Sequence, residues 1–237
     1  MRDVLYLVMP AYNEEENIRG VVESWYKVVA DKNPDSRIVI ADNGSTDSTH
    51  EILLDMQKDY PLVEILEDTR KEHGPKLIGL YNYAIKNGAS YIFQTDSDGQ
   101  TNPDEFAAFW NERENYDAVI GNRTVRGDGK SRAFVERVVC MLLRFIFGVK
   151  VPDANAPFRL MKASLVAKYI DKFPEDYNIP NIIFTAYFAY FKERICFKEI
   201  SFKSRQGGVN SINIKKIVKI GIKAIKDFMY FRKDMRK

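Results

Sequence analysis

The feature that most constrains the fold is the alternation of short apolar runs with helical patterns over the first 120 residues. Each run is followed by a segment in which apolar residues recur at every third or fourth position. The predicted strands cover residues 4–9, 37–41, 63–66 and 91–95, with a fifth starting at 119, and the predicted helices cover residues 17–30, 48–58 and 76–87. This alternation predicts an α/β domain built on a largely parallel sheet with helices on both faces.

The second half of the chain has a different pattern. Longer and more basic helical stretches follow, with an aromatic-rich segment and one further strand. Helices are predicted over residues 131–147 and 162–172, a loop over 151–160, an aromatic helical stretch over 182–191 and a strand over 196–202. We interpret residues 1–212 as one domain with halves at about 1–125 and 126–212, followed by a tail at 213–237.

Composition limits where the chain works. An apolar content of 45% is enough for a full core. The two cysteines, Cys140 and Cys196, lack metal-ligand or CxxC spacing, so free thiols and a reducing, cytoplasmic compartment are expected. The apolar run at residues 4–9 is too short for a signal peptide, and no window reaches the roughly 18 uncharged apolar residues of a membrane span.

The C-terminal tail concentrates positive charge. Residues 201–237 hold eleven lysines and arginines against two aspartates. Over residues 214–230 the lysines share one side of a predicted helix and the apolar residues share the other. A basic amphipathic helix of this kind either lies on an anionic membrane surface or packs on its own domain. Nucleic-acid binding is not expected, because no basic-aromatic motif accompanies the lysines.

Three polar loops follow predicted strands. They read Pro10-Ala-Tyr-Asn-Glu14, Asp42-Asn-Gly-Ser45 and Asp96-Ser-Asp-Gly-Gln100. In open α/β sheets ligands bind beyond the carboxyl ends of the strands, so the three loops are expected at one edge of the sheet. The first loop offers an aromatic face and the carboxylate of Glu14, and the other two offer carboxylates.

The Asp96-Ser-Asp98 tripeptide has the chemistry of a hard-cation site. Carboxylates two positions apart after a strand are able to face one Mg²⁺ or Mn²⁺ ion, and Gln100 adds a neutral oxygen. A Ca²⁺ loop or a solvated turn is the alternative. An EF-hand is disfavoured, because Ala107 stands where its twelfth-position glutamate belongs.

At this point the segments MPAYNEEENI, IVIADNGSTDST and YIFQTDSDGQTNPDEF resemble the family-2 glycosyltransferases with the GT-A fold. DANAPFRL is similar to that family's D-x-x-x-G-F-R segment. SFKSRQGGVNS is similar to the R-x-x-G-x-S-K segment of its polyprenyl-phosphate branch, which includes dolichyl-phosphate mannosyltransferases. The resemblance covers about residues 4–215 and implies a Rossmann-like sheet, with a donor half at 1–125 and an acceptor half at 126–212.

The resemblance also implies roles for individual residues. Nucleotide-sugar contacts would come from Pro10, Ala11, Tyr12, Glu14, Asp42, Asn43, Lys76, Asp96 and Arg159. The metal would be held by Asp96, Asp98 and Gln100, and catalytic roles would fall to Asp98, Arg205 and Asp153. Within that set, Arg205 would contact a phosphate. The candidates for a general base are Asp153, which matches the motif aspartate, and Glu175 and Asp176.

The sequence departs from the family at several positions. Asn43 replaces a usual second aspartate, and Pro157 replaces the glycine of G-F-R. Asn210 and Ser211 replace a Ser-Lys pair. Outside the motifs, His50 and His73 are interpreted as surface and loop residues without function, and Asp176 as a cap of a helix starting near residue 179.

The resemblance implies an inverting, metal-dependent transfer of a sugar from a UDP- or GDP-sugar. The acceptor is either a polyprenyl phosphate at the cytosolic membrane face or a saccharide hydroxyl, and only the hydroxyl needs a general base. Two other classes are a sugar nucleotidyltransferase and a catalytically dead binding module. A nucleotidyltransferase would carry a basic glycine-rich loop after the first strand, where this chain has the acidic PAYNEEEN.

Overall fold

A computed structural model describes residues 3–127, 129–204 and 214–236. The predicted sheet is present with seven strands. They are β1 (Leu5–Ala11), β2 (Arg37–Asp42), β3 (Val63–Leu66), β4 (Tyr91–Thr95), β5 (Ala118–Arg126), β6 (Phe158–Lys162) and β7 (Ile195–Phe202). The α-helices of the described residues are α1 (Ile18–Ala30), α2 (Thr49–Asp59), α3 (His73–Lys86), α4 (Phe106–Trp110), α5 (Lys130–Phe147), α6 (Ala163–Ile170), α7 (Pro180–Tyr190) and α8 (Ile214–Met235).

The strand order is β3-β2-β1-β4-β6-β5-β7. The first four strands of this order are mutually parallel, as the alternation of strands and helices predicts. Their carboxyl ends therefore meet at one edge, where the loops after β1, β2 and β4 leave the sheet.

Strand β6 corrects the predicted loop at residues 151–160. It lies between β4 and β5 and is antiparallel to both, with Phe158 opposite Thr95 and Leu160 opposite Val119. Phe158 and Leu160 are buried in the sheet. The segment is too short and too interrupted by charge for its period to mark it as a strand, and pairing on both sides stabilises it instead.

The core has two layers, one on each face of the sheet. On β1, Leu5, Leu7 and Met9 face α1 and α2, whereas Tyr6 and Val8 face the layer that contains α3. This alternation with both sides buried explains why the parallel strands read as continuous apolar runs. The free thiols expected for the two cysteines are present.

Helix α8 corresponds to the helix predicted in the tail. The side chains of residues 214–223, which include most of the tail lysines, lie outside the described residues. Further along, four side chains spaced four, three and four residues apart are buried against the domain: Ala224, Phe228, Phe231 and Met235. This part of α8 packs beside α5 and α7. No helix in the described part of the chain has both the length and the apolarity to span a membrane.

Candidate active site

A cleft of about 250 Å³ opens at the carboxyl ends of β1 and β4. It is lined by Pro10, Ala11, Tyr12, Glu14, Lys71, His73, Lys76, Asp96, Ser97 and Asp98. Seven of the residues proposed from the sequence are in this lining, where the loops after β1 and β4 meet. Ser97 joins the two loops, because its hydroxyl donates to the Pro10 carbonyl at 2.9 Å.

The acidic side of the cleft is a tight turn. Asp98 Oδ1 accepts a hydrogen bond from the backbone N–H of Gln100 at 3.1 Å, which closes the turn. Gly99 between them has φ of +71°, a conformation that residues with a side chain rarely adopt. The turn holds the carboxylates of Asp96 and Asp98 in one cleft.

A buried hydrogen-bond chain supports Asp96 from the core. Tyr81 donates its hydroxyl to Asn181 Oδ1 at 3.0 Å, and Asn181 Nδ2 donates to Gln94 Oε1 at 3.0 Å. Gln94 Nε2 in turn donates to Asp96 Oδ1 at 3.3 Å. All three supporting side chains are buried, so the chain fixes the orientation of the Asp96 carboxylate.

The opposite side of the cleft is cationic. Helix α3 begins there at His73, so its positive N-terminal end faces the cleft beside Lys71 and Lys76. Lys76 is buried, and its ammonium donates to the Ala11 carbonyl. Burial lowers the pKa of Lys76 to about 8, although the carboxylate of Asp42 acts in the other direction.

His73 and Lys71 also line the cleft, although neither was proposed as a site residue from the sequence. His73 Nε2 lies 3.3 Å from Asp96 Oδ1, so the imidazole bridges the cationic and acidic sides of the cleft. His73 was interpreted as a loop histidine, whereas the structure places it at the start of α3 and in the cleft lining. The start of α3 is also fixed by Gly74, since a Cβ there would lie 2.3 Å from the carbonyl oxygen of Tyr177.

The loop after β1 supplies an aromatic wall. The Tyr12 ring is about half exposed, and the Lys76 ammonium lies 5.4 Å from its centroid. Asn13 has φ of +54° and anchors the loop by accepting from the Thr46 N–H at 2.8 Å. Glu14 accepts from Asn17 Nδ2 at 2.9 Å near the start of α1. An aromatic face beside a cation suits a planar base attached to an anion.

Asp42 and Asn43 lie next to the cleft and do not line it. Asp42 is buried, pairs in register with Ala11, and accepts from Ser45 Oγ. His50 Nδ1 lies 3.2 Å from Asp42 Oδ2, a contact that the interpretation of His50 as a surface residue did not include. Asn43 donates its amide to the Thr69 carbonyl. These contacts tie the loop after β2 to its neighbours.

Gln100 is directed away from the cleft. Its Nε2 donates to the Lys203 carbonyl at 2.6 Å, and its own carbonyl accepts from the Lys203 N–H at 2.9 Å. The side chain predicted as a third metal ligand thus joins the turn to the end of β7. Arg205, two residues further on, lies outside the described residues.

Two of the site residues predicted in the acceptor half, Asp153 and Arg159, are buried. Asp153 forms a bidentate ion pair with Arg123, with Nε–Oδ2 at 2.7 Å and Nη2–Oδ1 at 2.9 Å. Desolvation raises the pKa of Asp153, yet its hydrogen bonds to Arg123 outweigh this and hold it below the usual range. Glu136 pairs with the same guanidinium, and its pKa is raised, first by burial and then by Asp153.

Arg159 is fully buried and is not among the residues that line the cleft. Its guanidinium donates to the carbonyls of Ala154, Ala156 and Asn181, so it organises the backbone before β6 and at the start of α7. This placement corrects its expected position as a direct substrate contact. Asp176 is not the N-cap of α7 either, because the N-cap residue is Ile179 and it makes no side-chain capping hydrogen bond.

These features define an α/β enzyme-like cleft with carboxylates facing cations at the edge of a parallel sheet. The sequence profile of glycosyl transferase family 2 matches residues 6–170. The chain belongs to that family and is a glycosyltransferase, as the sequence motifs predict.

Two relatives fall in the polyprenyl-phosphate branch of the family. Undecaprenyl-phosphate mannosyltransferase of Micrococcus luteus is 25% identical over 163 residues, which span 66% of this chain and 65% of that protein. The match therefore covers just under two thirds of the length of the mannosyltransferase. UDP-N-acetylglucosamine–dolichyl-phosphate N-acetylglucosaminyltransferase of Methanococcus voltae is 29% identical over 183 residues, 68% of this chain and 70% of that protein.

Solved structures confirm the GT-A fold. Glucosyl-3-phosphoglycerate synthase from Mycobacterium tuberculosis, in complex with Mn²⁺, UDP-glucose and phosphoglyceric acid, superimposes with a TM-score of 0.69 at 17% identity, covering 97% of this chain and 79% of that one. S. aureus TarS 1–349 in complex with UDP-GlcNAc has a TM-score of 0.61 at 18% identity, covering 98% and 70%.

Proposed function

We propose that the chain transfers a sugar, with inversion, from a UDP- or GDP-sugar to a polyprenyl phosphate. The observation that carries the proposal is the cleft in which Asp96 and Asp98 face Lys71, Lys76 and the start of α3. A nucleoside diphosphate needs cations for its phosphates and an aromatic face for its base, and both are present in the lining. The UDP-sugars bound by the two solved structures support this donor class.

A divalent cation fits the acidic side of the cleft. Asp96 and Asp98 offer hard oxygen donors, and in the described residues no third His, Cys, Asp or Glu completes a protein-only site. Mg²⁺ and Mn²⁺ commonly bind to one or two carboxylates and complete their shell with substrate phosphates. When bound, such an ion would neutralise charge on the departing nucleoside diphosphate.

The cleft residues divide the remaining work. Lys71, Lys76 and the N-terminal end of α3 hold the diphosphate against the acidic turn, while the Tyr12 ring covers the base. The series of hydrogen bonds that begins at Tyr81 keeps the Asp96 carboxylate from rotating away from the cleft. Donor orientation then leaves the anomeric carbon open to attack from the acceptor half.

The state of Asp153 favours a phosphate acceptor. A sugar hydroxyl needs a base to remove its proton, whereas a phosphate oxyanion attacks directly. Asp153, the base candidate from the motif, is buried and committed to Arg123. The named acceptors of the two relatives also support a polyprenyl phosphate. Such an acceptor would place the enzyme at the cytosolic face of a membrane.

A saccharide hydroxyl is the second candidate acceptor, because Asn210 and Ser211 stand in place of the Ser-Lys pair of the polyprenyl-phosphate branch. Both candidates are tested by incubating the protein with a panel of UDP- and GDP-sugars, with polyprenyl phosphate or an oligosaccharide, and with Mn²⁺, Mg²⁺ or EDTA. Product masses are expected to match a glycosyl polyprenyl phosphate only when a divalent ion is present. Glycosylated oligosaccharide alone would reject the phosphate acceptor, and turnover in EDTA would reject the metal.

A further inference from the structure

Helix α5 exposes large apolar side chains in a single stripe. Phe134, Met141 and Phe145 are 65%, 50% and 78% exposed. They are separated by seven and four residues, a spacing that places them on one side of a helix. The opposite side of the helix buries Leu143 and Phe147 in the core. Scattered apolar side chains are common on protein surfaces, whereas a stripe of three long ones marks an interaction site.

Cations interleave with this stripe. Arg137 and Arg144 are exposed on α5, and Lys150 is exposed just after the helix ends. The acidic residue of the helix, Glu136, is turned inward and paired with Arg123. The outer side of α5 therefore combines apolar and positively charged groups without an acidic side chain. We use the name α5 face for Phe134, Arg137, Met141, Arg144, Phe145 and Lys150.

A groove runs along the C-terminal end of the α5 face. Its volume is about 570 Å³, and Cys140, Met141, Arg144, Phe145, Lys150 and Val151 line it. Helix α8 supports this end of α5, because Arg232 Nη1 donates to the Phe147 carbonyl at 2.9 Å and the Phe147 and Phe228 rings lie 5.8 Å apart. The face thus stands on a part of the fold that is fixed from behind.

We infer that the α5 face docks on an anionic lipid bilayer. Its aromatic and methionine side chains would enter the boundary between headgroups and acyl chains, while the arginines and Lys150 would contact lipid phosphates. A second copy of the chain fits this face less well, because pairing two α5 faces would bring cations together with no carboxylate between them. Anionic lipid supplies the opposite charge as well as the apolar layer.

This inference builds on the proposed function, since a polyprenyl phosphate is held in a membrane. The two are separable by experiment. Vesicle binding measures docking without donor or acceptor, whereas transfer to acceptor dispersed in detergent measures catalysis without a bilayer. A wild-type chain that transfers sugar in detergent but does not bind vesicles would reject docking alone. A wild-type chain that binds vesicles but transfers no sugar would reject the proposed function alone.

The test is co-sedimentation of the full chain with vesicles of phosphatidylcholine, with or without phosphatidylglycerol. Wild-type protein is expected to bind the anionic vesicles. Arg137→Gln and Arg144→Gln should each lower the partition coefficient about fivefold. A Met141→Ser and Phe145→Ser double variant should abolish binding. The matched control is Leu54→Ser, which changes a side chain of similar exposure on α2 and should bind as wild type.

Three results would overturn the inference. The first is unchanged binding of all α5 variants while thermal unfolding confirms their fold. The second is loss of binding only when Lys215, Lys216, Lys219 and Lys223 are replaced by glutamine, which would assign docking to the tail. The third is a wild-type dimer in light scattering that becomes monomeric in the Phe145→Ser variant. Deleting the tail is a poorer test, because Phe228 and Phe231 belong to the core.

Discussion

The donor and acceptor halves of the chain place their polar residues in opposite ways. In the donor half, Tyr12 and Asp96 follow parallel strands directly and reach the cleft. In the acceptor half, Asp153 precedes the antiparallel strand β6 and Arg159 lies within it. Asp153 is buried in an ion pair, and Arg159 is buried in backbone hydrogen bonds. The end of a strand in a parallel sheet therefore predicts that the next side chain lies at the cleft. A match to a sequence motif outside the parallel strands does not predict where the side chain lies.

The largest expected effect is on the donor half. Asp98→Ala should lower donor turnover by on the order of 10³-fold, because it removes a carboxylate from the metal and diphosphate site. Thermal unfolding should remain close to wild type, since the turn lies at the surface of the cleft. Asp104→Ala, an exposed aspartate in the same segment, is the control and should keep full activity. Full activity of Asp98→Ala would remove the basis for the donor site.

The support beneath Asp96 should also matter. Gln94→Leu breaks the buried chain, so the Mn²⁺ concentration for half-maximal activity should rise about 10- to 100-fold. Tyr81→Phe removes only the hydrogen bond farthest from Asp96, so the Mn²⁺ concentration for half-maximal activity should rise less. Metal titrations at saturating donor measure both effects. Lower stability of Gln94→Leu with an unchanged metal requirement would mean that these buried hydrogen bonds stabilise the fold and do not affect metal binding.

Lys76 should make donor binding depend on pH. Its pKa of about 8 means that its charge, and its attraction for a diphosphate, is lost as the pH rises through 8. Binding of UDP should weaken about tenfold from pH 7 to pH 9.5, the size expected for a hydrogen bond to a charged group. Calorimetry on Lys76→Met should show a flat profile over this range. An identical slope in the variant would assign the titration elsewhere.

The lowered pKa of Lys76 also makes the free energy of unfolding depend on pH. The folded pKa of Lys76 lies below the value of 10.5 expected in the unfolded chain, so the unfolded state binds more protons between about pH 8 and 10.5. The contribution of Lys76 to the free energy of unfolding should therefore increase across that window. The free energy of unfolding, measured with urea, should therefore rise more steeply with pH in the wild type than in Lys76→Met. Parallel pH profiles would contradict the lowered pKa of Lys76.

The smallest effect on rate is expected in the acceptor half. Asp153→Asn should lower the free energy of unfolding by on the order of 3 kcal/mol, because it weakens a buried pair with Arg123. The kcat of the folded enzyme should change less than tenfold, since a phosphate acceptor needs no base. Urea unfolding and steady-state kinetics separate the two. A thousandfold lower kcat at unchanged stability would make Asp153 the base and favour a hydroxyl acceptor.

The sequence was sufficient for the fold of the donor half and most of its cleft. Apolar runs gave the parallel strands, and the residues after β1 and β4 followed from them. Lys71 was not proposed as a site residue, His73 was interpreted as a loop residue without function, and the helix was predicted to start near Lys76. The observed start at His73 turns the imidazole toward Asp96. Helix ends depend on contacts such as that of Gly74 with Tyr177, which no local pattern contains.

The rest of the site depends on contacts between distant residues. Asp153 pairs with Arg123, thirty residues earlier, and Asn181 reaches Gln94 across 87 residues. A charged side chain in a loop has the same sequence signal whether it faces solvent or a buried partner. Composition and periodicity therefore do not predict the buried ion pair between Asp153 and Arg123.

The most direct test of the donor site is calorimetric titration of the wild-type chain with UDP and with GDP, each with and without Mn²⁺. A cleft that holds a diphosphate between Asp96, Asp98 and Lys76 should bind one of the two nucleotides at least tenfold more tightly with Mn²⁺, in the range of a charge-assisted contact. The Asp98→Ala variant should lose that gain. Equal affinity with and without the ion for both nucleotides would contradict a metal-dependent nucleotide-sugar site.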